Sequence, residues 1–306
     1  MTLLEERART QLHDGVVDAS PPPSSTAVPS RVTVATVLQA LALLIVWLLL
    51  YLTVLSSFQH GHAQRSLYAE LRTELALGEA PSGAPIVPGT PLAVLSIPAL
   101  DLGDEVVVEG SRNEQLRVGP GHVTGTVLPG QIGVSVLAGR STTFGGPFGG
   151  LDELRAGDPI VVTTVQGTFR YDVVAVRVKG DPVPAPPKEG QGRLTLVSSL
   201  PGPGPLGALR PANTVYVDAA LESGAVAAGP VGQTDLEATY MSGRLDVPTL
   251  AQLALALQLL LLAVAGFAWG WHRGNRRVVW AAGIPVVVAA LWLATSLSAH
   301  LIPGLI

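Results

Sequence analysis

Three long apolar runs restrict how this chain can fold. They cover residues 33–56, 247–271 and 278–300, and each reaches the roughly 20 apolar residues that cross the hydrocarbon core of a bilayer. Pro285 lies inside the third run, where a lipid-embedded helix tolerates it. Between the first two runs the chain is much more polar, so the sequence predicts one transmembrane helix before a globular domain and two after it.

Arginines beside the apolar runs predict the orientation of the chain in the membrane. Short retained loops carry an excess of Lys and Arg on the cytoplasmic side. The loop 272–277 contains three arginines, and Arg31 stands just before the first run. We therefore expect a multi-pass plasma-membrane protein with a cytoplasmic N-terminus and cytoplasmic loop, an extracytoplasmic domain, and a short outer tail at 301–306.

The segments next to the predicted membrane helices differ in composition and in apolar periodicity. Residues 1–32 contain a Pro/Ser-rich stretch without apolar periodicity, which is typical of a disordered cytoplasmic tail. In 57–91, three leucines that begin at Leu67 are spaced four residues apart and predict an amphipathic juxtamembrane helix, which a Pro/Gly-rich linker follows. Residues 223–246 are glycine-containing and predict a spacer back to the membrane.

The domain at 92–222 consists of short β-rich runs separated by Gly and Pro. Closely spaced strands of this kind favour an all-β sandwich or barrel over an α/β fold. The predicted strands are 92–97, 105–109, 134–137, 160–164, 168–178, 194–198 and 214–218.

Two runs in this domain resemble motifs of the sortase family. Residues 138–148 read Ala-Gly-Arg-Ser-Thr-Thr-Phe-Gly-Gly-Pro-Phe, against the family's Ala-Gly-His-Arg-Thr-Thr-x-Gly-x-Pro-Phe, and residues 195–199 read Thr-Leu-Val-Ser-Ser, against Thr-Leu-x-Thr-Cys. The resemblance covers about residues 90–222 and implies a mainly β fold, a closed β-barrel between one N-terminal and two C-terminal transmembrane helices. Further runs at 95–98, 107–110 and 119–122 match in the same order.

The ratio of lysine to arginine gives an indication of the source of the chain. Only Lys179 and Lys188 among the 19 basic residues are lysines, a bias that is typical of GC-rich genomes. This bias favours an actinobacterial source, and the resemblance itself is to class E-like sortases.

The resemblance places the catalytic positions on residues that differ from the family's. Its cysteine nucleophile corresponds to Ser199, its histidine to Arg140, and its oxyanion arginine lies near Arg210. The chain contains no cysteine, which also excludes disulfides and thiolate metal sites. A serine hydroxyl needs an adjacent base to become a useful nucleophile, and a guanidinium has no lone pair with which to accept a proton. The sequence therefore predicts that the family's cysteine transpeptidase chemistry is absent.

Three functions are compatible with this pattern. The first is a pseudoenzyme at the cell surface or cell wall that binds or positions a peptide or surface protein, with an active sortase or its substrate among the candidates. The second is an active acyltransferase or hydrolase that uses Ser199 with a base within about 3 Å. In the third the barrel is inert, and the membrane helices bind other proteins through small residues such as Ala263, Ala265 and Gly266.

The predicted binding residues surround the former catalytic positions. The guanidinium of Arg140 either donates to a bound peptide or partner, or pairs with a nearby acid and plugs the cleft. Arg210 is either a shifted functional arginine or a plain surface residue. The predicted set is Arg140, Thr142, Thr143, Ser198, Ser199 and Arg210.

Other ligand classes have weak support. The formal net charge of −4 and the pI near 5.9 lack the basic character of nucleic-acid-binding domains, so we predict that the protein does not bind nucleic acid. His60 and His62 alternate like a metal-binding pair but lack an obvious third ligand, which is more typical of solvated residues. His122 is interpreted as a structural or rim residue. We therefore predict no metal and no cofactor.

Overall fold

The computed structural model describes residues 42, 45–47, 50–204, 207, 210–232, 247–273, 276–298 and 304–305. The predicted tail 1–32, much of the first transmembrane helix and the spacer from residue 233 onward lie outside this part of the chain.

Eight strands close into a barrel in the order β1-β2-β3-β4-β7-β8-β6-β5. The predicted mainly β fold and closed barrel are confirmed. Most neighbouring strands are antiparallel, but β2 with β3 and β4 with β7 run parallel. The two-residue strand β3 lies inside the 119–122 motif and is too short for a sequence pattern to predict. The strands are β1 (Pro91–Ile97), β2 (Leu102–Glu109), β3 (Gly121–His122), β4 (Gly133–Ala138), β5 (Pro159–Thr164), β6 (Gly167–Val178), β7 (Gly192–Pro201) and β8 (Pro211–Leu221).

Strand β7 separates two apolar clusters. Leu194 and Leu196 belong to the main core inside the barrel, whereas Val197 packs with Ala138 in a second cluster. Because successive side chains of a strand point to opposite faces, Ser199 lies on the same face as Val197. Ala138 and Val197 are also register partners in the parallel β4–β7 pair, so both strands end at the same edge of the barrel.

Helix α1 (Ser56–Leu77) packs on the barrel and contains the predicted amphipathic segment. Leu71 is buried against Val106 of β2, and the leucines four residues before and after it join the same cluster. The side-chain amide of Gln64 on α1 makes hydrogen bonds to the backbone of β2, as a neighbouring strand would. Its Nε2 donates to the carbonyls of Val106 and Val118 at 3.1 and 2.7 Å, and its Oε1 accepts the Val106 N–H at 2.8 Å.

Two apolar helices follow the barrel, α2 (Val247–Arg273) and α3 (Arg276–Ser298). Each contains a stretch that is long and apolar enough to cross a membrane, Leu250–Phe267 in α2 and Arg277–Ser298 in α3. Together with the barrel, these helices indicate association with a membrane. Helix α3 continues through Pro285, as expected for a lipid-embedded helix.

Small residues allow α2 and α3 to approach closely, although not those that the sequence analysis named. A Cβ added at Gly283 of α3 would overlap the ring of Phe267 in α2. In contrast, Ala265 and Gly266 are exposed, Ala263 is half-buried, and a Cβ at Gly266 would meet no atom of the described residues within 4 Å. Binding of another membrane protein through this face of α2 stays a prediction.

Candidate functional site

The ends of β4 and β7 bring Arg140 and Ser199, the positions that the resemblance aligns with the family's histidine and cysteine, to one edge of the barrel. The loop after β4 is joined to β7 by two hydrogen bonds. The Gly139 N–H donates to the Val197 carbonyl at 3.0 Å, and the fully buried Ser198 hydroxyl donates to the Gly139 carbonyl at 2.9 Å. This junction places the Oγ atoms of Ser141 and Ser199 2.7 Å apart.

The Ser199 hydroxyl faces hydrogen-bonding groups that are not bases. It is 7% exposed, and besides Ser141 its partner in the described part of the chain is the carbonyl oxygen of Leu305, at 2.7 Å. A hydroxyl and a carbonyl can accept a hydrogen bond, but neither takes up a proton at neutral pH. Ser199 is thus oriented to donate to a peptide carbonyl rather than to lose its proton.

Arg140 fills the space beside this serine pair and is the largest fully buried side chain of the described residues. Its Nε donates to the Leu116 carbonyl at 3.0 Å, one terminal nitrogen donates to Thr143 Oγ1 at 2.9 Å, and the other contacts Asn113 Oδ1. These donors are directed at groups of the same domain. The guanidinium therefore acts as part of the packing around the space beside Ser141 and Ser199, which we call the cleft.

The charge of Arg140 is unfavourable in this environment. Burial and, to a lesser extent, the nearby positive charge of Arg117 together lower the pKa of its guanidinium to about 9. Both guanidinium carbons are 4.8 Å from the centroid of the Phe144 ring. A cation over an aromatic face is stabilised by the ring's quadrupole, so Phe144 offsets part of the repulsion. At neutral pH Arg140 remains charged and cannot serve as a base.

A segment after α3 occupies the cleft. The carbonyl oxygen of Leu305 accepts hydrogen bonds from the Ser141 N–H at 3.0 Å, the Ser141 hydroxyl at 3.1 Å and the Ser199 hydroxyl at 2.7 Å. The side chain of Leu305 is buried in the outer cluster with Leu116, Ala138 and Val197. The site therefore holds both the carbonyl and the side chain of an apolar residue.

A groove of about 410 Å³ adjoins this position on the outer face of β4, β7 and β8. Val136, Val197 and Tyr216 are shared between its lining and the cluster that surrounds Leu305. Farther along the groove, Asp218 accepts hydrogen bonds from Arg177 at 2.6 Å and from Thr195 at 2.7 Å. The cleft thus offers an apolar section near Ser199 and a polar section away from it.

The remaining predicted site residues divide between packing and surface. Thr143 is buried and holds Arg140, whereas Thr142 is half-buried, with its Oγ1 3.4 Å from the Ser141 hydroxyl. Arg210 is exposed, and within the described residues its side chain makes no hydrogen bond to the other members of the set. The structure therefore groups Arg140 with Thr143 and Ser199 with Ser141, while Arg210 belongs to neither hydrogen-bonded group.

The buried histidines are held by carboxylates. His122 Nδ1 lies 2.8 Å from Glu109 Oε2, and His60 Nε2 lies 2.7 Å from Glu105 Oε1. His62 follows His60 by two residues on α1, so it points to a different side of the helix and is exposed. Across the described residues, no three His, Asp or Glu side chains converge into a metal site.

Two members of the site are missing from the predicted set. Ser141 lies in the 138–148 motif run beside Arg140, and it supplies two of the three donors to the Leu305 carbonyl. Leu305 belongs to the predicted outer tail at 301–306, for which the sequence analysis predicts no contact. A signal did exist, because an apolar Leu-Ile-Pro-Gly-Leu-Ile run at 301–306 follows the last membrane helix on the predicted side of the barrel.

The barrel is similar in sequence and fold to known proteins. Residues 95–210 match the family model of the sortase domain. Among solved structures, sortase E from Streptomyces avermitilis is 31% identical, with 45% of this chain and 91% of that chain covered and a TM-score of 0.34. A sortase transpeptidase from Clostridium perfringens is 20% identical, with 53% and 99% covered and a TM-score of 0.42.

A third similar structure contains a bound molecule. A sortase E from Streptomyces coelicolor, solved with a tripeptide in its active site, is 24% identical, with 44% of this chain and 90% of that chain covered and a TM-score of 0.37. A search among curated proteins found no match to the chain.

Proposed function

Since this chain belongs to the sortase family through its barrel, we propose that it is a membrane-anchored, extracytoplasmic member without transpeptidase activity that binds or positions a peptide at the cell surface. The observation that carries the proposal is the environment of Ser199. Its hydroxyl donates to a peptide carbonyl, and the neighbouring family position holds a buried guanidinium that cannot accept a proton.

The size of the catalytic deficit supports the loss of activity. Removing the nucleophile or the base of a serine hydrolase costs on the order of 10⁶ in turnover. In this chain both family positions have changed together, and the contacts of Ser199 do not supply a substitute base. Groups that only bind substrate would leave too little turnover for a physiological transpeptidase.

Peptide binding is supported by the shape of the cleft. Three donors converge on one main-chain carbonyl, an apolar seat receives the adjoining side chain, and the open groove extends the same surface. Ligand sites generally combine an apolar lining with a few convergent polar groups. In the proposed role, Ser141 and Ser199 contact the ligand, while Arg140 and Thr143 hold the wall of the cleft in place.

Activity can be tested with the full-length protein in nanodiscs. After incubation with a sorting-signal peptide and an amine acceptor, we expect neither a cleaved product nor an acyl adduct by intact-mass analysis. Turnover that disappears in the Ser199→Ala variant would overturn the proposal and establish the serine-dependent acyltransferase or hydrolase in its place.

Binding can be tested by fluorescence anisotropy with the same labelled peptide. Val197→Lys places a long charged side chain in the apolar section of the cleft, so affinity should fall at least about tenfold. Thr163→Lys on β5, where Thr163 is outside the cleft, is the matched control and should bind as the wild type does. Equal affinities in all three proteins would contradict binding at this site.

The proposed orientation has its own test. If the loop 272–277 is cytoplasmic, protease added to intact cells should cleave the segment between the first and second membrane helices and spare a tag placed at residue 1. A barrel that is protected in intact cells and cleaved only after lysis would place it on the cytoplasmic side.

A further inference from the structure

The Leu305 carbonyl is bound as a ligand would be. A carbonyl oxygen has two lone pairs, and here three donors lie within 3.1 Å of it, all from Ser141 and Ser199. These donors come from the loop after β4 and the end of β7, whereas Leu305 is 106 residues beyond Ser199 in the chain. The contact is therefore a long-range docking of one segment into the cleft.

The Leu305 side chain adds an apolar anchor to this docking. It is 4% exposed and packs with Leu116, Ala138 and Val197. Two of these residues are the register partners at the end of the parallel β4–β7 pair. An exposed leucine would gain from burial on this surface, so carbonyl recognition and apolar burial act on the same residue.

The docked segment is tethered to the membrane beside the barrel. Leu305 follows the end of α3 at Ser298 by seven residues, which can span at most about 24 Å when extended. In the predicted topology this segment and the barrel lie on the same outer side. A tether of this length gives an effective concentration on the order of millimolar, so a peptide arriving from solution competes at a disadvantage.

We propose that Gly304–Leu305 is an intramolecular ligand of the cleft, which keeps it occupied until a peptide of the same chemistry displaces it. The inference rests on the proposed peptide-binding function and specifies its ligand class. That ligand is an apolar peptide with a leucine-like side chain seated on Val197 and its main-chain carbonyl held by Ser141 and Ser199. The groove beyond Val136 stays open to the rest of a longer competitor.

The occupancy can be measured directly because the chain contains no cysteine. In the full-length variant Val197→Cys/Leu305→Cys, mild oxidation can form only the engineered disulfide. We expect an intramolecular link, identified by peptide mapping, in a yield about tenfold above that of the control pair Thr163→Cys/Leu305→Cys. Equal yields for the two pairs would overturn self-occupancy. A covalent dimer whose mapped disulfide joins position 197 of one copy to position 305 of the other would show instead that the segment docks into a second copy.

Competition distinguishes this inference from the proposed function on which it rests. The probe is a labelled synthetic peptide with the sequence of residues 301–306, and the proteins are the wild type, Leu305→Asp and Leu77→Asp. Leu77 is exposed on α1, so the last variant controls for the added charge. We expect Leu305→Asp to bind the probe about tenfold more tightly than the other two proteins, because its own segment no longer competes.

The other outcomes show whether the inference fails alone or together with the proposed function. Equal, measurable affinities in all three proteins would overturn self-occupancy and leave the cleft as a peptide-binding site. An intramolecular disulfide together with no binding to any of the three, including Leu305→Asp, would show that the segment packs there as part of the fold and that the cleft does not take up a free peptide. That result would overturn both displacement and the proposed peptide-binding function.

Discussion

Arg140 and Ser199 stand at neighbouring strand ends, yet their side chains have different kinds of partners. The guanidinium of Arg140 is fully enclosed and binds groups of its own domain, among them the Leu116 carbonyl and Thr143. The hydroxyl of Ser199 instead donates to Leu305, which lies beyond both apolar helices. One side of the cleft is part of the packed interior, whereas the other directs its donors at a carbonyl of a distant segment of the chain.

The difference follows from the size and charge of the two side chains. A long cationic group placed in a closed site must have its donors satisfied, so the surrounding loop has to supply acceptors and a stacking partner. A small hydroxyl imposes no such demand and leaves space for another chain. The two positions should therefore respond differently to substitution, in stability at Arg140 and in ligand contact at Ser199.

The largest effect is expected from Arg140→Ala. The change removes the largest fully buried side chain and leaves the acceptors at Leu116 and Thr143 without their donor. Cavity formation and unsatisfied acceptors together should lower the free energy of unfolding by about 3 kcal/mol or more. Urea unfolding of the protein in detergent micelles would measure the loss.

A matched substitution decides whether packing is the cause. Arg170 is exposed on β6, so Arg170→Ala removes the same type of side chain outside the cleft and should change the free energy of unfolding by less than about 0.5 kcal/mol. If Arg140→Ala were equally mild while weakening peptide binding, Arg140 would belong to the recognition surface and the contrast with Ser199 would disappear.

A smaller effect should appear in the pH dependence of stability. Because burial and the charge of Arg117 lower the pKa of Arg140 to about 9, the folded protein releases this proton at lower pH than the unfolded chain does. The folding penalty of the charge is complete below that pH and is relieved as the pH rises above it. Between pH 8 and pH 10 the wild type should therefore gain about 1 kcal/mol of unfolding free energy relative to Arg140→Met.

The variant also controls for other groups that titrate in this range. Burial raises the pKa of Tyr171 to about 12, and this residue is present in both proteins, so its contribution cancels in the difference. Parallel pH profiles for the two proteins would mean that Arg140 keeps an ordinary pKa and is better solvated than its burial indicates.

The fold could be predicted because local patterns and spacing determine it. The predicted β-rich runs, which Gly and Pro residues separate, match seven of the eight strands to within a few residues. The two apolar runs after the barrel form α2 and α3. Strand β3 has only two residues, and its pairing depends on β2 and β4 rather than on its own composition. Such a strand leaves no periodic signal in a sequence.

The site could be predicted only in part. Motif alignment located Ser199 and Arg140, since the residues around them keep the family pattern. It left open whether the guanidinium faces a ligand or the interior, because burial and partners arise from tertiary packing. It also could not pair Ser199 with Leu305, 106 residues away, because no local pattern encodes a contact of that range.

The smallest effect is expected from Ser199→Ala. This change removes one of three donors to the Leu305 carbonyl, while the N–H and hydroxyl of Ser141 remain in place. A single neutral hydrogen bond contributes about 1 kcal/mol, and the carbonyl stays satisfied, so the free energy of unfolding should fall by about 1 kcal/mol or less. The disulfide between positions 197 and 305 should still form in this background, at a reduced yield. If the disulfide were lost while the free energy of unfolding stayed unchanged, Ser199 would be the dominant donor to the segment. If Ser199→Ala lowered the free energy of unfolding as much as Arg140→Ala, both sides of the cleft would serve packing alone.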